Sequence, residues 1–385
     1  MLRSVRAHRA LSFHRVVLLK AGLLCVSLWM SGCHPATQSP PARPVYVLAG
    51  SNVSAGFKNN ALYIFNAATT ASAIAGDVST DPLRTALPLS WVRYLNRAPN
   101  GSLWIGFGGD FNHNDDRVQV YRPDGTLTHT LHPCTNPEAG ITFAAGRVFV
   151  ACSGDGFAGT VAVLDAVDFS PVAMLPLAQP DAPILLVGSG ADEQYVVITA
   201  MTVGPEPERS YALAIIADAH KAEVIAQVQL GPDTDVWTIL PHAGRFYLLN
   251  AASARSAEPL RPDVLVLDPA HPETWETFTL PLAAPLWGQI VTGELYAYHN
   301  PGWNTTQQID WRGLSRTALE TGASETWLLE DRFEVGGLAV WDSTPCLVHW
   351  NYWQPEATHG LYCLEADGEL RQRLAVPDAS GVVIP

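Results

Sequence analysis

The 385-residue sequence is short of charge: Asp, Glu, Lys and Arg together make up only 16% of it. It is also short of helical periodicity and of long apolar runs. Residues 21–30 (AGLLCVSLWM) are apolar, but ten residues cover roughly 15 Å of helix, about half of a bilayer core, so they do not read as a membrane span. Basic residues are scarce, with 23 Lys and Arg against 37 Asp and Glu. Five of the basic residues (Arg3, Arg6, Arg9, Arg15 and Lys20) and none of the acidic ones precede Cys33. A chain cut before Cys33 keeps 18 basic and 37 acidic residues, a net charge of −19. Such a body repels phosphate backbones, which excludes nucleic-acid binding through a basic surface. Signatures of nucleophilic and zinc chemistry are missing too: there is no G-x-S-x-G, and the histidines show no H-E-x-x-H spacing.

What is present begins with an address. Positive charge in residues 1–20, the short apolar run, and then Met30-Ser31-Gly32-Cys33 make a signal peptide over residues 1–32. The M-S-G-C tetrad resembles a bacterial lipobox, which implies lipid attachment at Cys33, cleavage before it and acylation of the new amino terminus. An ordinary signal peptide cut nearby is the alternative. Two or three acyl chains anchor stably where one does not. Residues 33–44 carry four prolines after the cysteine and almost no apolar side chain, the composition of a tether. His34 follows the cysteine in place of the Asp that resembles an inner-membrane retention signal in enteric lipoproteins, so the outer membrane is the expected destination.

From residue 45 to 385, short β-branched and aromatic runs recur between Gly, Pro, Asn and Asp. Inner runs begin near Trp91, Gly140, Ile184, Val236, Leu286, Gly336 and Gly381, about 50 residues apart. After a tight turn each is followed by a second strand, such as LWIGF at 103, YVVIT at 195 or CLVHW at 346. A third follows a polar loop (VQVY at 118, VLVLD at 264, TQQID at 306, LYCLE at 361) and a fourth closes the unit. Four antiparallel strands per unit of this length is a β-propeller blade. The N-terminal part supplies second, third and fourth strands (VYVLAG at 45, ALYIFN at 61, ASAIAG at 71) but no inner strand, and residues 380–385 supply only an inner strand. The expected fold is therefore all-β: a seven-bladed β-propeller of four-stranded antiparallel blades, closed by N- and C-terminal strands in one blade, which removes two open edges.

The blades themselves carry a family resemblance. Residues 159–165 (GTVAVLD) with 172–177 (VAMLPL) resemble the YVTN class of surface and periplasmic propellers, and residues 99–106 (PNGSLWIG) resemble blades of two-component sensor propellers. The resemblance implies a fold and no catalytic residue.

With Cys25 in the signal and Cys33 lipidated, four cysteines remain, an even number suited to an oxidising compartment. The sequence-local pairing is expected. Cys346 and Cys363 face each other across a hairpin, and Cys134 and Cys152 lie at one end of another. A soft-metal site from His129, His132 and Cys134 is the alternative.

In a propeller the loops joining second to third strands, and fourth to next inner strands, lie on one face around the channel, where functional residues concentrate. One such loop, residues 110–116, sets Asp110, Asn112 and Asn114 at alternate positions, with Asp116 after them, as in the opening of a calcium loop. Asp115 and Tyr121 stand where that pattern requires Gly and a bidentate Glu, so a solvated turn is the competing reading. A second set is aromatic. Trp237 and Trp287 begin inner strands, His299 ends a second strand, and Trp303 lies beyond it, with Asn250 and Asn351 nearby. Blade-to-blade packing accounts for such residues; stacking surfaces with amide donors also suit sugars or quaternary amines. The expected function is a monomeric, lipid-anchored envelope module that binds a protein or glycan partner. The competing expectation is a metal-assisted lyase, lactonase or glycosidase with its site at the channel mouth.

Overall fold

The structure, a computed structural model, describes residues 43–50, 59–67, 83–109, 114–177, 183–202, 212–231, 234–251, 263–301, 311–329, 334–349 and 359–384. Their strands, β1 to β28 in chain order, form seven four-stranded antiparallel sheets. Each sheet is one blade, so the chain is a seven-bladed β-propeller. The inner strands are β4 (Val92–Arg97), β8 (Ile141–Ala144), β12 (Ile184–Ala191), β16 (Val236–His242), β20 (Pro285–Val291), β24 (Val335–Trp341) and β28 (Ala379–Val383). The last of these pairs with the first strand of the chain, β1 (Arg43–Ala49), through Tyr46–Val383 and Leu48–Gly381. One blade is thus built from both termini, and the ring has no open inner edge.

Burial explains why the sequence reads as it does. A second strand such as β5 (Leu103–Phe107) is flanked by blades on both faces and is buried at all five positions. A fourth strand such as β7 (Leu127–Leu131) lies at the rim and is exposed or half-buried throughout. The core of the described residues is divided into seven apolar clusters, six spanning two consecutive blades and one reaching from the fifth blade through the sixth to the seventh. The cluster at the closing seam packs Val45, Val47 and Phe65 against Val348 and Leu361. Side chains, not extended hydrogen bonding, therefore hold blade to blade.

Near the channel the strands approach so closely that some seams admit no side chain. A Cβ on Gly188 would lie 2.6 Å from the carbonyl oxygen of Trp237 in the next blade, and one on Gly336 would lie 2.7 Å from that of Ser380. Six of the seven inner strands also carry a register shift against their second strand. Such a bulge sharpens twist and re-aims backbone groups. Carbonyls at these bulges take donors from other blades: Thr199 Oγ1 to Val236 O, Thr238 Oγ1 to Leu286 O and Trp287 Nε1 to Val335 O, each at 2.8 Å.

Both disulfides form in the expected pairing. Cys346 and Cys363 are direct cross-strand neighbours on β25 (Thr344–His349) and β26 (Gly360–Leu364), with Cα atoms 4.1 Å apart. Cys134 and Cys152, 6.2 Å apart, tie the chain between β7 and β8 to the end of β9 (Arg147–Cys152).

Three local expectations are corrected. The fourth strand of the closing blade is β3 (Leu83–Ala86), paired with β2 (Ala61–Ala67) through Ala61–Ala86; residues 71–76 lie outside the described residues. The third strand of the sixth blade is β22 (Arg312–Ala318), not residues 306–310. Its sequence, RGLSRTA, hides among polar residues because Ser315 and Thr317 are buried through hydroxyl bonds, to His299 and Ser324. The propeller also begins two residues before the expected residue 45, since β1 takes in Arg43 and Pro44. Pro44 is tolerated there because β28 begins pairing only at Tyr46, leaving one side of the strand open.

Deleting residues 380–385 strips most of β28 and reopens the ring. The melting temperature is expected to fall by about 5 °C or more, well beyond the effect of trimming a loose tail. An unchanged melt would contradict closure by β28.

Candidate functional site

All seven inner strands, or the residues leading into them, contribute to one cavity of about 180 Å³ along the axis. That volume holds roughly six waters. Its walls include Tyr94, Trp237 and Trp287, the neutral polar side chains of Asn96, Ser189 and Thr238, and several glycines. No Asp, Glu, His, Lys or Arg is among the lining residues, counted over the described residues. The blades with glycine at the axis make room for the rings of the others. Tyr94, from the second blade, crosses this space: its hydroxyl donates to the carbonyl of Val187 in the fourth blade at 3.0 Å. Its ring meets Trp287 of the sixth blade edge-to-face, with centroids 6.3 Å apart. With its indole N–H bonded to Val335 in the seventh blade, Trp287 is held in place. Asn96 Nδ2 and Ser189 Oγ are buried with no protein partner among the described residues. Donors in that position call for water or a ligand oxygen.

The other sequence-derived residues are distributed differently. Asn250 and His299 end the second strands β17 (Arg245–Asn250) and β21 (Glu294–His299), and both are buried beneath the connections from the preceding blades. Asn250 Oδ1 accepts the backbone N–H of Asp235 at 3.0 Å. His299 Nδ1 lies 3.0 Å from the carbonyl of Ala283, which can only accept, so this nitrogen carries the proton. Its Nε2 then accepts from the Ser315 hydroxyl at 2.8 Å. His349, at the equivalent end of β25, makes the same Nδ1 contact with the carbonyl of Glu334, at 2.8 Å. These caps pin the inter-blade connections and thereby the starts of the inner strands.

Of the acidic loop, Asn114, Asp115 and Asp116 are described. Asn114 Oδ1 accepts from Asn136 Nδ2 at 2.9 Å, and Asp116 lies 2.8 Å from His132 Nδ1 on the surface. Asp115 is gripped by Arg117 through Nε at 2.8 Å. Burial would raise its pKa, but the Arg117 hydrogen bonds outweigh this and hold the carboxyl below its ordinary range. Asp110, Asn112, Trp303, Asn351 and Cys33 lie outside the described residues.

Sequence reasoning missed Tyr94, Asn96 and Ser189, which look like ordinary strand residues until the bulge in β4 and the ring geometry place them at the axis. It also missed a buried polar chain on the channel-mouth face. There Asn300 Nδ2 and Arg312 each bond the Glu334 carboxylate at 2.9 Å. Beside it, the His359 ring packs at 6.2 Å from that of His349 and its Nδ1 accepts the Asp378 N–H at 3.2 Å. The acidic residue before each of two inner strands was the available signal.

No protein-family model matches this sequence, and no curated protein matches it either. Solved structures do resemble it in shape. A candidate 6-phosphogluconolactonase from Bacteroides fragilis aligns over 91% of this chain and 99% of its own, at 12% identity and a TM-score of 0.58. A second, from Bacteroides uniformis, aligns over 90% and 100%, at 12% identity and a TM-score of 0.56. The dihydro-heme d1 dehydrogenase NirN, in complex with DHE, aligns over 91% and 76%, at 12% identity and a TM-score of 0.52. Identity this low establishes the propeller and transfers no chemistry.

Burial pushes the His299 pKa from 6.5 down to about 4. The unfolded chain therefore takes up this proton before the folded one does. The stability it provides is complete above pH 6.5 and is lost as pH falls toward 4, roughly 3 kcal/mol in all. Melting temperatures measured across this window should fall steeply in the wild type and less steeply in His299→Gln. Parallel curves would contradict the buried neutral imidazole.

Proposed function

We propose that this protein is a lipid-anchored envelope propeller that binds a glycan or protein partner at its channel-mouth face and does no chemistry there. The observation that supports the reading is the channel itself: three aromatic side chains with neutral amide and hydroxyl groups, and no Asp, Glu, His, Lys or Arg among the described lining residues, the Tyr94 phenol being given to the Val187 carbonyl. Rings offer stacking faces, and unpartnered donors at Asn96 and Ser189 suit hydroxyl or carbonyl oxygens. General acid–base work needs a titratable group within hydrogen-bond reach of the substrate. Here the buried histidines of the mouth already spend Nδ1 on backbone groups.

The enzyme alternative draws on the shape shared with the candidate lactonases. A phosphorylated sugar acid brings negative charge, for which the described lining of the channel offers no Arg or Lys. Among the described residues no three His, Cys, Asp or Glu side chains gather to hold a metal.

Two measurements test this reading. Purified protein should leave the spontaneous hydrolysis of 6-phosphogluconolactone unaccelerated, whereas a panel of neutral oligosaccharides should change tryptophan emission saturably in wild type and not in Trp287→Ala. Lactone turnover would overturn the binding reading. Separately, Cys33→Ala should move the protein from the membrane to the soluble fraction, and unchanged fractionation would contradict the anchor.

A further inference from the structure

The axial cavity has two unlike sides. On one, the second and fourth blades contribute the Asn96 amide and the Ser189 hydroxyl; on the other, the fifth and sixth contribute the indoles of Trp237 and Trp287. All four stand on inner strands, and register fixes where they sit. Asn96 pairs with Trp104, and Ser189 pairs with Ile198 on β13 (Tyr195–Thr202). Groups carried on paired strands are held more precisely than groups on loops.

The polar groups of the lining divide in the same way. Thr238 Oγ1, Trp287 Nε1 and the Tyr94 hydroxyl are already given to backbone carbonyls of other blades. Asn96 Nδ2 and Ser189 Oγ are not, and both atoms are buried. The hydrogen-bonding capacity left for a ligand at these two atoms therefore lies across the cavity from the indoles. A neutral sugar has matching parts: hydroxyls along its edge, and a C–H face that stacks on an aromatic ring. A carboxylate or phosphate would enter without a cation among the described lining residues to offset its lost hydration.

Size and a crossbar then limit how much of a glycan enters. The cavity of about 180 Å³ matches one hexose, whose bulk is that of about six waters, and is too small for two. Tyr94 reaches from the second blade to the Val187 carbonyl in the fourth, and its ring meets Trp287, which is bonded in turn to Val335 in the seventh. A polysaccharide cannot thread past that crossbar, so only a chain end fits.

We infer that the axial cavity takes a single neutral sugar residue, the terminal unit of a glycan, with its hydroxyl edge on Asn96 and Ser189 and its C–H face on the Trp237–Trp287 side. This rests on the channel being a binding site. It narrows the ligand to an uncharged chain end and assigns Asn96 and Ser189 as the groups that select it.

The test uses the full-length protein in a detergent without a sugar head group. Tryptophan emission and calorimetry follow titration with methyl glycosides of glucose, galactose, mannose and N-acetylglucosamine, with neutral oligosaccharides ending in those units, and with the methyl glycosides of glucuronate and galacturonate. At least one neutral monosaccharide should bind saturably, and oligosaccharides ending in it should bind within about threefold of it, since only the last unit enters. The uronates should bind about tenfold or more weakly. Ser189→Ala and Asn96→Leu should each weaken the monosaccharide about fivefold or more, while melting temperatures stay within about 2 °C of wild type, because each removes a polar atom that has no partner in the fold. Oligosaccharides that bind while every monosaccharide is silent, uronates that bind as tightly as neutral sugars, or full affinity in both variants would overturn the single-residue assignment and leave glycan binding intact. Silence from every saccharide would overturn both.

Discussion

Seven inner strands must converge on one axis, and the space there is too small for seven ordinary sets of side chains. The rest of the structure follows from this crowding. Gly188 and Gly336 give way to the neighbouring backbone, while bulges swing carbonyls out of their own ladders. The carbonyls so freed would be costly if left unpaired in a buried setting. Thr199, Thr238, Trp287 and Tyr94 satisfy them from other blades. A geometric necessity thus becomes a set of inter-blade hydrogen bonds exactly where the apolar seams run out, and a ring that closes this way has no first blade to fray.

The same crowding shapes the cavity. Because glycine occupies the axis in some blades, the rings of Tyr94, Trp237 and Trp287 can reach into it. Charged side chains would lose hydration in so small a space without a partner, and the described walls carry none. Ionisable groups appear one layer out instead, where Glu334 meets Arg312 and Asp378 meets His359 and Asn59. There they tie connections to strand ends. The axis is thus neutral while the charges beside it serve the strand ends.

Much of this was legible in the sequence. Second strands such as LWIGF at 103 and YVVIT at 195 announce themselves because both of their faces are buried. The blade count followed from their spacing, and the closure from a missing inner strand at one end and a lone one at the other. The cysteine pairs followed from register. Less legible was β22, whose buried Ser315 and Thr317 read as surface residues because their burial depends on hydroxyl partners remote in sequence. The division of labour at the site was not legible either: Trp287 and His299 are near neighbours in sequence, yet one lines the channel and the other lies beneath a connection. A bulge of one residue decides which way each strand faces, and no local signal in β20 specifies it.

Ring closure from both termini is the claim on which the channel and the buried mouth both depend, and amide hydrogen exchange tests it most directly. Peptides covering β1 and β28 should exchange as slowly as those of β13, a buried second strand in mid-chain, because their amides open only when the ring does. Exchange of β28 at the rate of an unstructured terminus, while β13 stays protected, would contradict the account.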